Sequence, residues 1–113
     1  IRVGENENLT IMNLIVLYPQ PTDVEKFESE YSAHIKLLHE KTGIPNDVKP
    51  YTITKFLQGA EGNPPFYQMF TMPFDSLEAL NGAMSSSGMQ EVAADVNRIS
   101  TGGVPTILIG KLS

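Results

Sequence analysis

The sequence has no cysteine and no tryptophan among its 113 residues, and it has only two histidines. The lack of cysteine excludes disulfides, thiolate nucleophiles, iron–sulfur clusters and the common structural zinc sites. Positive charge is also scarce, since eight Lys and Arg stand against thirteen Asp and Glu and give a net charge of −5. A phosphate backbone or an anionic membrane surface attracts basic proteins. We therefore expect neither nucleic acid nor a membrane as a partner.

Long apolar runs are missing as well. The longest one, residues 14–18, is far below the roughly 20 residues that cross a bilayer, and no basic start followed by an apolar segment indicates secretion. A cytoplasmic location is the expectation. The hydrophobic fraction of 41%, the charged fraction of 19% and the mean hydropathy of −0.13 are those of an ordinary globular protein. The length fits one domain.

The first eleven residues are polar in their middle and lack a clear period. We interpret residues 1–11 as a tail that need not be native, because Met12 opens the first strand-like run. Residues 12–113 are expected to form the single domain.

Hydrophobic periodicity predicts four strands and two helices. The strands are expected at residues 13–18, 51–57, 66–72 and 104–111. The first helix is expected at 23–41. The second is expected to begin near residue 77, with a turn at 85–88 that divides it. The order β-α-β-β-α-β is that of a ferredoxin-like α+β fold, in which a four-stranded antiparallel sheet carries both helices on one face.

Helix ends are marked by residues that satisfy free backbone groups. Thr22 with Glu25 has the form of a capping box, Asp75 is the expected cap of the second helix, and Ser87 is the expected cap of its second segment. Gly43 is expected to stop the first helix.

The strands are apolar on both alternations, although helices cover only one face of such a sheet. Leu14 and Val16 alternate with Ile15 and Leu17, for example. An isolated monomer would expose more apolar surface than soluble monomers commonly tolerate. The sequence therefore predicts a homodimer that packs sheet against sheet, with a tail or loop over the sheet as the alternative.

His34 is the first candidate for chemistry, because its spacing from Phe27, Tyr31 and Leu38 places it on the inward edge of the first helix. A general acid or base facing a pocket is one interpretation, and a core histidine bound to a backbone carbonyl is the other. His39 lies five residues further on, about 500° around the helix at 100° per residue, so the pair does not form a metal site. We expect His39 to be solvated.

Other polar groups in the predicted strands and helix are weaker candidates for lining a cavity, since aromatic residues at such spacings usually belong to a core. They are Tyr18, Tyr31, Tyr51, Tyr67, Asn13 and Gln68. The motifs for nucleotides, for Rossmann-type cofactors, for serine hydrolases and for zinc proteases are absent. No cofactor and no metal are expected.

Several stretches, in their order and spacing, resemble the EthD family, which is named from ethyl tert-butyl ether degradation clusters and lies within the dimeric α+β barrel superfamily. These stretches span about residues 12–111. The first two are residues 12–19, followed by Asp23 and Phe27, and residues 31–37. The others are residues 74–80, 87–90, 93–95 and 101–104.

The resemblance implies a homodimer whose two sheets close into a barrel, with a pocket in each subunit between sheet and helices. The family's Tyr-x-x-His-hydrophobic-Pro-Leu pattern falls on Tyr31 and His34, with Lys36 in place of the usual proline. The link at residues 41–50 is also longer than in many members. Both departures lie beside the implied pocket.

The reaction stays open, because relatives in this superfamily include monooxygenases, lactone isomerases, haem-handling enzymes and polyketide cyclases. Our hypothesis is an enzyme that acts on a small, largely apolar or aromatic, oxygen-bearing metabolite, with His34 moving a proton and Tyr31 or Tyr51 orienting it. The alternatives are a non-catalytic small-ligand binding protein and an accessory subunit of an oxidising system. Haem is disfavoured, since His34 is the sole candidate axial ligand.

Overall fold

The structure, a computed structural model, describes residues 10–113. It contains four strands and three helices in the order β1 (Met12–Pro19), α1 (Val24–Thr42), β2 (Thr52–Lys55), β3 (Phe66–Phe74), α2 (Leu77–Met84), α3 (Ser87–Ile99) and β4 (Thr106–Lys111). Of the predicted tail at residues 1–11, residues 1–9 lie outside the described residues.

The strands form one antiparallel sheet in the order β2-β3-β1-β4. This is the predicted ferredoxin-like α+β fold, and the break within the second helix is confirmed as the junction of α2 and α3. Strands β2 and β4 are shorter than predicted. The residues next to Pro50 and Pro105 stay outside the ladder, and β2 also ends at Lys55 instead of residue 57. Strand β3 runs on to Phe74 since it pairs with β1 as far as Met12.

All three helices are capped one residue away from the predicted position. Asp23, Ser76 and Ser86 are the N-caps, and their side chains accept hydrogen bonds from the backbone N–H groups three residues later. The predictions of Thr22, Asp75 and Ser87 were wrong because each cap stands beside a second residue with a suitable side-chain oxygen. Gly43 ends α1 in the left-handed conformation, with φ of 76°, as predicted.

The core lies between the helices and one face of the sheet. Alternate residues of β1 and β3 are buried there, and the helices supply the other side. The buried apolar side chains are Leu14, Val16, Tyr18, Phe27, Tyr31, Leu38, Tyr51, Phe70, Met72, Leu80, Met89, Val92, Val96 and Ile99.

The opposite face of the sheet is only partly covered. Ile15, Leu17 and Met69 are half-buried, and Leu108 on the edge strand is 47% exposed. The register places Ile15 beside Leu108 and Leu17 beside Met69, so these side chains form one apolar surface. The apolar second face that the sequence predicts is therefore present.

A bulge in β3 changes the direction of one tyrosine. Tyr18 pairs with Gln68 and Pro19 pairs with Phe66, so Tyr67 is the extra residue between them. A bulge of this kind re-aims a side chain. The ring of Tyr67 lies at 5.5 Å from that of Phe27, on the helix side of the sheet.

Helix α3 is held close to α1 and to the end of β1 by two glycines. A Cβ atom at Gly88 would lie 2.2 Å from the carbonyl oxygen of Lys41, and one at Gly102 would lie 1.7 Å from that of Gln20. Both contacts are with backbone, which has little room to move.

Within residues 10–113, the helices are too short or too polar to cross a bilayer.

Candidate functional site

His34 lies inside the protein, where α1 faces α3. The residue is only 4% exposed, and its Nδ1 donates a hydrogen bond of 2.9 Å to Asp95 Oδ2. Asp95 lies on α3, and its Oδ1 accepts a hydrogen bond of 2.5 Å from Arg98 Nε. Arg98 Nη1 donates to Glu30 Oε2 on α1 at 2.6 Å. These contacts join the two helices through alternating charges.

The Asp95 carboxylate fixes how the imidazole can act. An ionised carboxylate only accepts hydrogen bonds, so the neutral ring carries its proton on Nδ1. Among residues 10–113 the hydrogen bond of His34 uses Nδ1, which leaves the lone pair of Nε2 for a ligand. A carboxylate in this position also stabilises the imidazolium that forms when Nε2 takes a proton.

The surroundings of the pair favour an ionised Asp95 and a neutral His34. The hydrogen bond from Arg98 lowers the pKa of Asp95, burial opposes this, and the hydrogen bond from His34 lowers it further. Burial lowers the pKa of His34 below 6.5, and this effect together with the positive Arg98 outweighs the opposite influence of Asp95. At neutral pH the pair therefore consists of a carboxylate and an uncharged imidazole.

A cavity of about 40 Å³ adjoins the His34 ring. We call it the histidine cavity. Apart from His34 and the phenol-bearing Tyr18 its lining is apolar, from Leu14, Val16, Leu38, Phe70, Met84, Met89, Val92, Ala93, Val96 and Ile107. Since a water molecule needs about 10 to 15 Å³ of such space, it accommodates a few water-sized groups. Ile107 of β4, one of the lining residues, is 46% exposed.

Tyr18 also lines this cavity. It is 1% exposed, and its ring packs edge-on against Phe27 and Tyr31 at 5.4 and 5.6 Å. Burial, with a smaller contribution from the charge of Asp95, raises the pKa of Tyr18. The phenol therefore stays protonated at neutral pH and is able to donate a hydrogen bond.

Tyr31 stands between the histidine cavity and the outside of α1. Its ring lies 5.7 Å from that of His34, but its side chain lines a separate cleft between α1 and β2. Burial raises the pKa of Tyr31. Its hydroxyl is buried beside the amide of Gln68, which partly offsets the rise of the pKa, and it has no acceptor in the described part of the chain.

The remaining predicted site residues lie elsewhere. Asn13 pairs with Pro73 and Gly110 on the open face of the sheet, opposite the histidine cavity. Tyr67 donates a short hydrogen bond to Glu28 Oε2, and this bond is the main reason why the pKa of Tyr67 rises to about 12.

His39 is buried, so the prediction of a solvated side chain was wrong. Its Nδ1 donates to the carbonyl oxygens of Ile44 and Pro45 at 3.2 and 3.0 Å. Its Nε2 then accepts a 2.7 Å hydrogen bond from the hydroxyl of Tyr51. The reason for the error is that the chain after α1 folds back over the helix and covers His39. The hydroxyl of Tyr51, a predicted ligand contact, is engaged in this bond.

Asp95 is the residue of the site to which the sequence assigned no role. Asp95 and His34 are 61 positions apart, so the sequence gives no sign of their contact. Asp95 and Arg98, three residues apart on one helix, resemble an ordinary ion pair on a helix surface.

No family model matches the chain. An uncharacterized 11.0 kDa protein of Rhodococcus erythropolis, from the thcB-thcC intergenic region, is 33% identical over 91 residues, which cover 79% of this chain and 84% of that protein. An EthD family protein from Bacillus halodurans is 27% identical, with a TM-score of 0.76 over 91% of this chain and 99% of its own.

The chain belongs to the EthD family. A dimeric ferredoxin-like protein of unknown function from Thermobifida fusca has a TM-score of 0.61 at 13% identity, and the match covers 91% of this chain and 92% of that chain. At that identity the likeness shows the fold alone. The family assignment agrees with the resemblance carried by the sequence.

Proposed function

We propose that this EthD family protein binds a small, largely apolar, oxygen-bearing molecule in the histidine cavity and transfers a proton with His34. The observation that carries the proposal is the hydrogen bond from His34 Nδ1 to Asp95 in an otherwise apolar site. A general base must be unprotonated and oriented, and it must reach its substrate through a free lone pair. His34 meets these requirements through Nε2.

Tyr18 supports the proposal with a complementary group. A protonated phenol in an apolar cavity binds a carbonyl or hydroxyl oxygen of the ligand and holds the carbon skeleton in a defined orientation. Asp95 acts through the imidazole as a positioning residue. Tyr31 packs against the His34 ring and restricts its rotation.

Admission of the ligand requires the histidine cavity to widen. Pockets for metabolites usually enclose 300 Å³ or more, whereas this one encloses about 40 Å³. Met84 and Met89 line it, and methionine side chains rearrange readily. We infer that the ligand enters beside Ile107 and displaces these two side chains.

The test begins with native mass spectrometry of the freshly purified protein, which identifies any small molecule that it carries. Turnover of that molecule is then compared between the wild type, His34→Gln and Asp95→Asn, with Lys49→Gln as an exposed control. General acid–base catalysis contributes about 10²- to 10⁴-fold, so we expect losses of that order for His34→Gln. Unchanged turnover contradicts the role of His34, and wild-type binding without turnover favours a binding protein.

We also propose that two copies pack through the open face of the sheet. The half-buried Ile15, Leu17 and Met69 with the exposed Leu108 support this, and so does the dimeric state of the Thermobifida fusca protein of the same fold. Light scattering coupled to size exclusion is expected to give twice 12.4 kDa for the wild type. Leu17→Glu is expected to give the monomer, whereas the exposed Lys49→Gln outside the sheet serves as a control. A monomeric wild type contradicts the proposal.

A further inference from the structure

Four side chains of α1 and α3 form a hydrogen-bonded network that runs from the histidine cavity to the surface. His34 donates to Asp95, and Arg98 donates to Asp95 and to Glu30. We call these four residues the histidine network. Glu30 and His34 are four residues apart on α1, and the other two are three apart on α3, so each pair lies on one side of its helix. The network therefore links the two helices twice, at neighbouring turns.

Asp95 is the residue whose orientation decides how His34 can act. The torsion angle that sets the plane of an aspartate carboxylate is broad, unlike most side-chain torsions, so the rotamer alone does not fix its oxygens. The Asp95 side chain is 14% exposed, which gives it room to turn toward water. A carboxylate turned away from His34 would release Nδ1 and allow the ring proton to move to Nε2. In that form Nε2 has no lone pair to accept a proton.

Arg98 fixes the carboxylate plane from the second oxygen. Its Nε donates to Asp95 Oδ1 at 2.5 Å, while His34 Nδ1 donates to Oδ2 at 2.9 Å. Because each oxygen has its own donor, turning the carboxylate toward water would break both hydrogen bonds at once. Arg98 does not line the histidine cavity itself, so it acts on the imidazole through Asp95.

Glu30 holds Arg98 in turn. The Arg98 side chain is 51% exposed, and a long side chain in water samples many rotamers. Its Nη1 donates to Glu30 Oε2 at 2.6 Å, so two different nitrogens of one planar group are engaged. An isolated ion pair at a surface contributes little, but several charges in a network contribute more.

A purely structural role, in which the network only joins α1 to α3, is the competing explanation. A second ion pair joins the same helices, since Lys41 Nζ lies 3.5 Å from Glu91 Oε1. Lys41 is about two turns beyond His34 on α1, and neither residue of this pair lines the histidine cavity. The loss of this pair therefore reports on the joining of the helices alone.

We propose that Arg98, held by Glu30, is a positioning residue that keeps the Asp95 carboxylate on His34 Nδ1 and thereby keeps Nε2 free to take a proton. The inference rests on the proposed function of His34 and names the residues that hold that base in its working form. Functional side chains have to be held within about 0.5 Å and 10–20° of their productive geometry. Two residues outside the cavity supply that constraint here.

The test follows the Nδ1–H proton of His34 by NMR of the ¹⁵N-labelled full chain. Spectra are recorded well above pH 6.5, where the ring is neutral, so that the charge of Arg98 does not act through the pKa of His34. The ¹⁵N shifts identify the nitrogen that carries the proton, and saturation transfer from water gives its exchange rate. In the wild type we expect the proton on Nδ1, in slow exchange with water.

Three substitutions by methionine are compared. Arg98→Met removes the donors and keeps an unbranched side chain. Since one hydrogen bond to a charged group changes an equilibrium by about tenfold or more, the Nδ1–H exchange should become at least about tenfold faster, and some of the rings should carry the proton on Nε2. Glu30→Met removes the contact of Arg98 with α1 and should act in the same direction by a smaller factor. Lys41→Met breaks the other ion pair between the helices and should leave the proton as in the wild type.

A wild-type exchange rate in Arg98→Met would overturn the proposal, and so would equally fast exchange in Arg98→Met and Lys41→Met, which assigns the network to the joining of the helices. A wild-type rate in Glu30→Met would overturn the part assigned to Glu30. The backbone amide signals of β4 should stay at their wild-type positions in every variant, as a control of the fold. Turnover that persists in His34→Gln contradicts the proposed function instead, so the two failures are distinguishable.

Discussion

The buried hydroxyl of Tyr31 leads to an unusual expectation for stability. In most proteins, removing a buried tyrosine hydroxyl costs about 1 kcal/mol because a hydrogen bond is lost. Here the hydroxyl has no acceptor within residues 10–113, although the Gln68 amide interacts with it, so the folded state bears much of its desolvation without compensation. Such an unmet group costs about 1–3 kcal/mol. We expect Tyr31→Phe to raise the free energy of unfolding by about 1 kcal/mol.

Tyr51→Phe is the matched comparison within the same core. Both tyrosines are buried, but the hydroxyl of Tyr51 donates to His39 Nε2 at 2.7 Å. Its removal loses that bond and leaves a buried nitrogen without a donor, which together cost about 2 kcal/mol. The two substitutions remove the same atom, yet we expect opposite signs and a difference of about 3 kcal/mol.

The assay is urea unfolding followed by far-ultraviolet circular dichroism, with all proteins at one concentration because a dimer's stability depends on it. A Tyr31→Phe variant that is as strongly destabilised as Tyr51→Phe would refute the reasoning. The hydroxyl would then donate a hydrogen bond in the folded protein.

Three further predictions concern backbone packing and titration. Gly102→Ala places a Cβ 1.7 Å from a backbone carbonyl oxygen and should lower the free energy of unfolding by about 3 kcal/mol. Gly82→Ala within α2 meets no atom within 4 Å and should raise it by about 0.5–1 kcal/mol. Thermal unfolding of both variants would measure these changes. Because the folded-state pKa of His34 is lowered, the unfolded chain binds the proton first, so stability should fall as the pH drops below 6.5. His34→Gln should reduce that slope in urea titrations at several pH values. Arg98→Gln should raise the pKa of both His34 and Asp95, as measured by NMR titration, since the guanidinium charge holds both down.

The sequence predicts most of the architecture for physical reasons. Strand and helix periods are local, and the alternation of Leu14 and Val16 with Ile15 and Leu17 already requires two apolar faces. The helix caps were misplaced by one residue because adjacent side chains such as Thr22 and Asp23 offer equivalent oxygens. The choice between such neighbours depends on backbone geometry that composition does not specify.

The site was predicted only in part, because its contacts are long-range. The inward position of His34 follows from helical spacing, but its partner Asp95 depends on how α3 crosses α1. The burial of His39 depends on the path of the chain after α1. The direction of Tyr67 depends on a bulge in β3, which is a property of strand pairing and not of the local sequence.

The account rests on His34 being a neutral base that Asp95 orients. The most direct measurement is a pH titration of the His34 imidazole by ¹⁵N NMR, which reports both the pKa and the ring nitrogen that carries the proton. We expect a pKa below 6.5 and a proton on Nδ1 in the neutral form. A pKa at or above 6.5, or a neutral ring protonated on Nε2, would contradict the proposed role of His34.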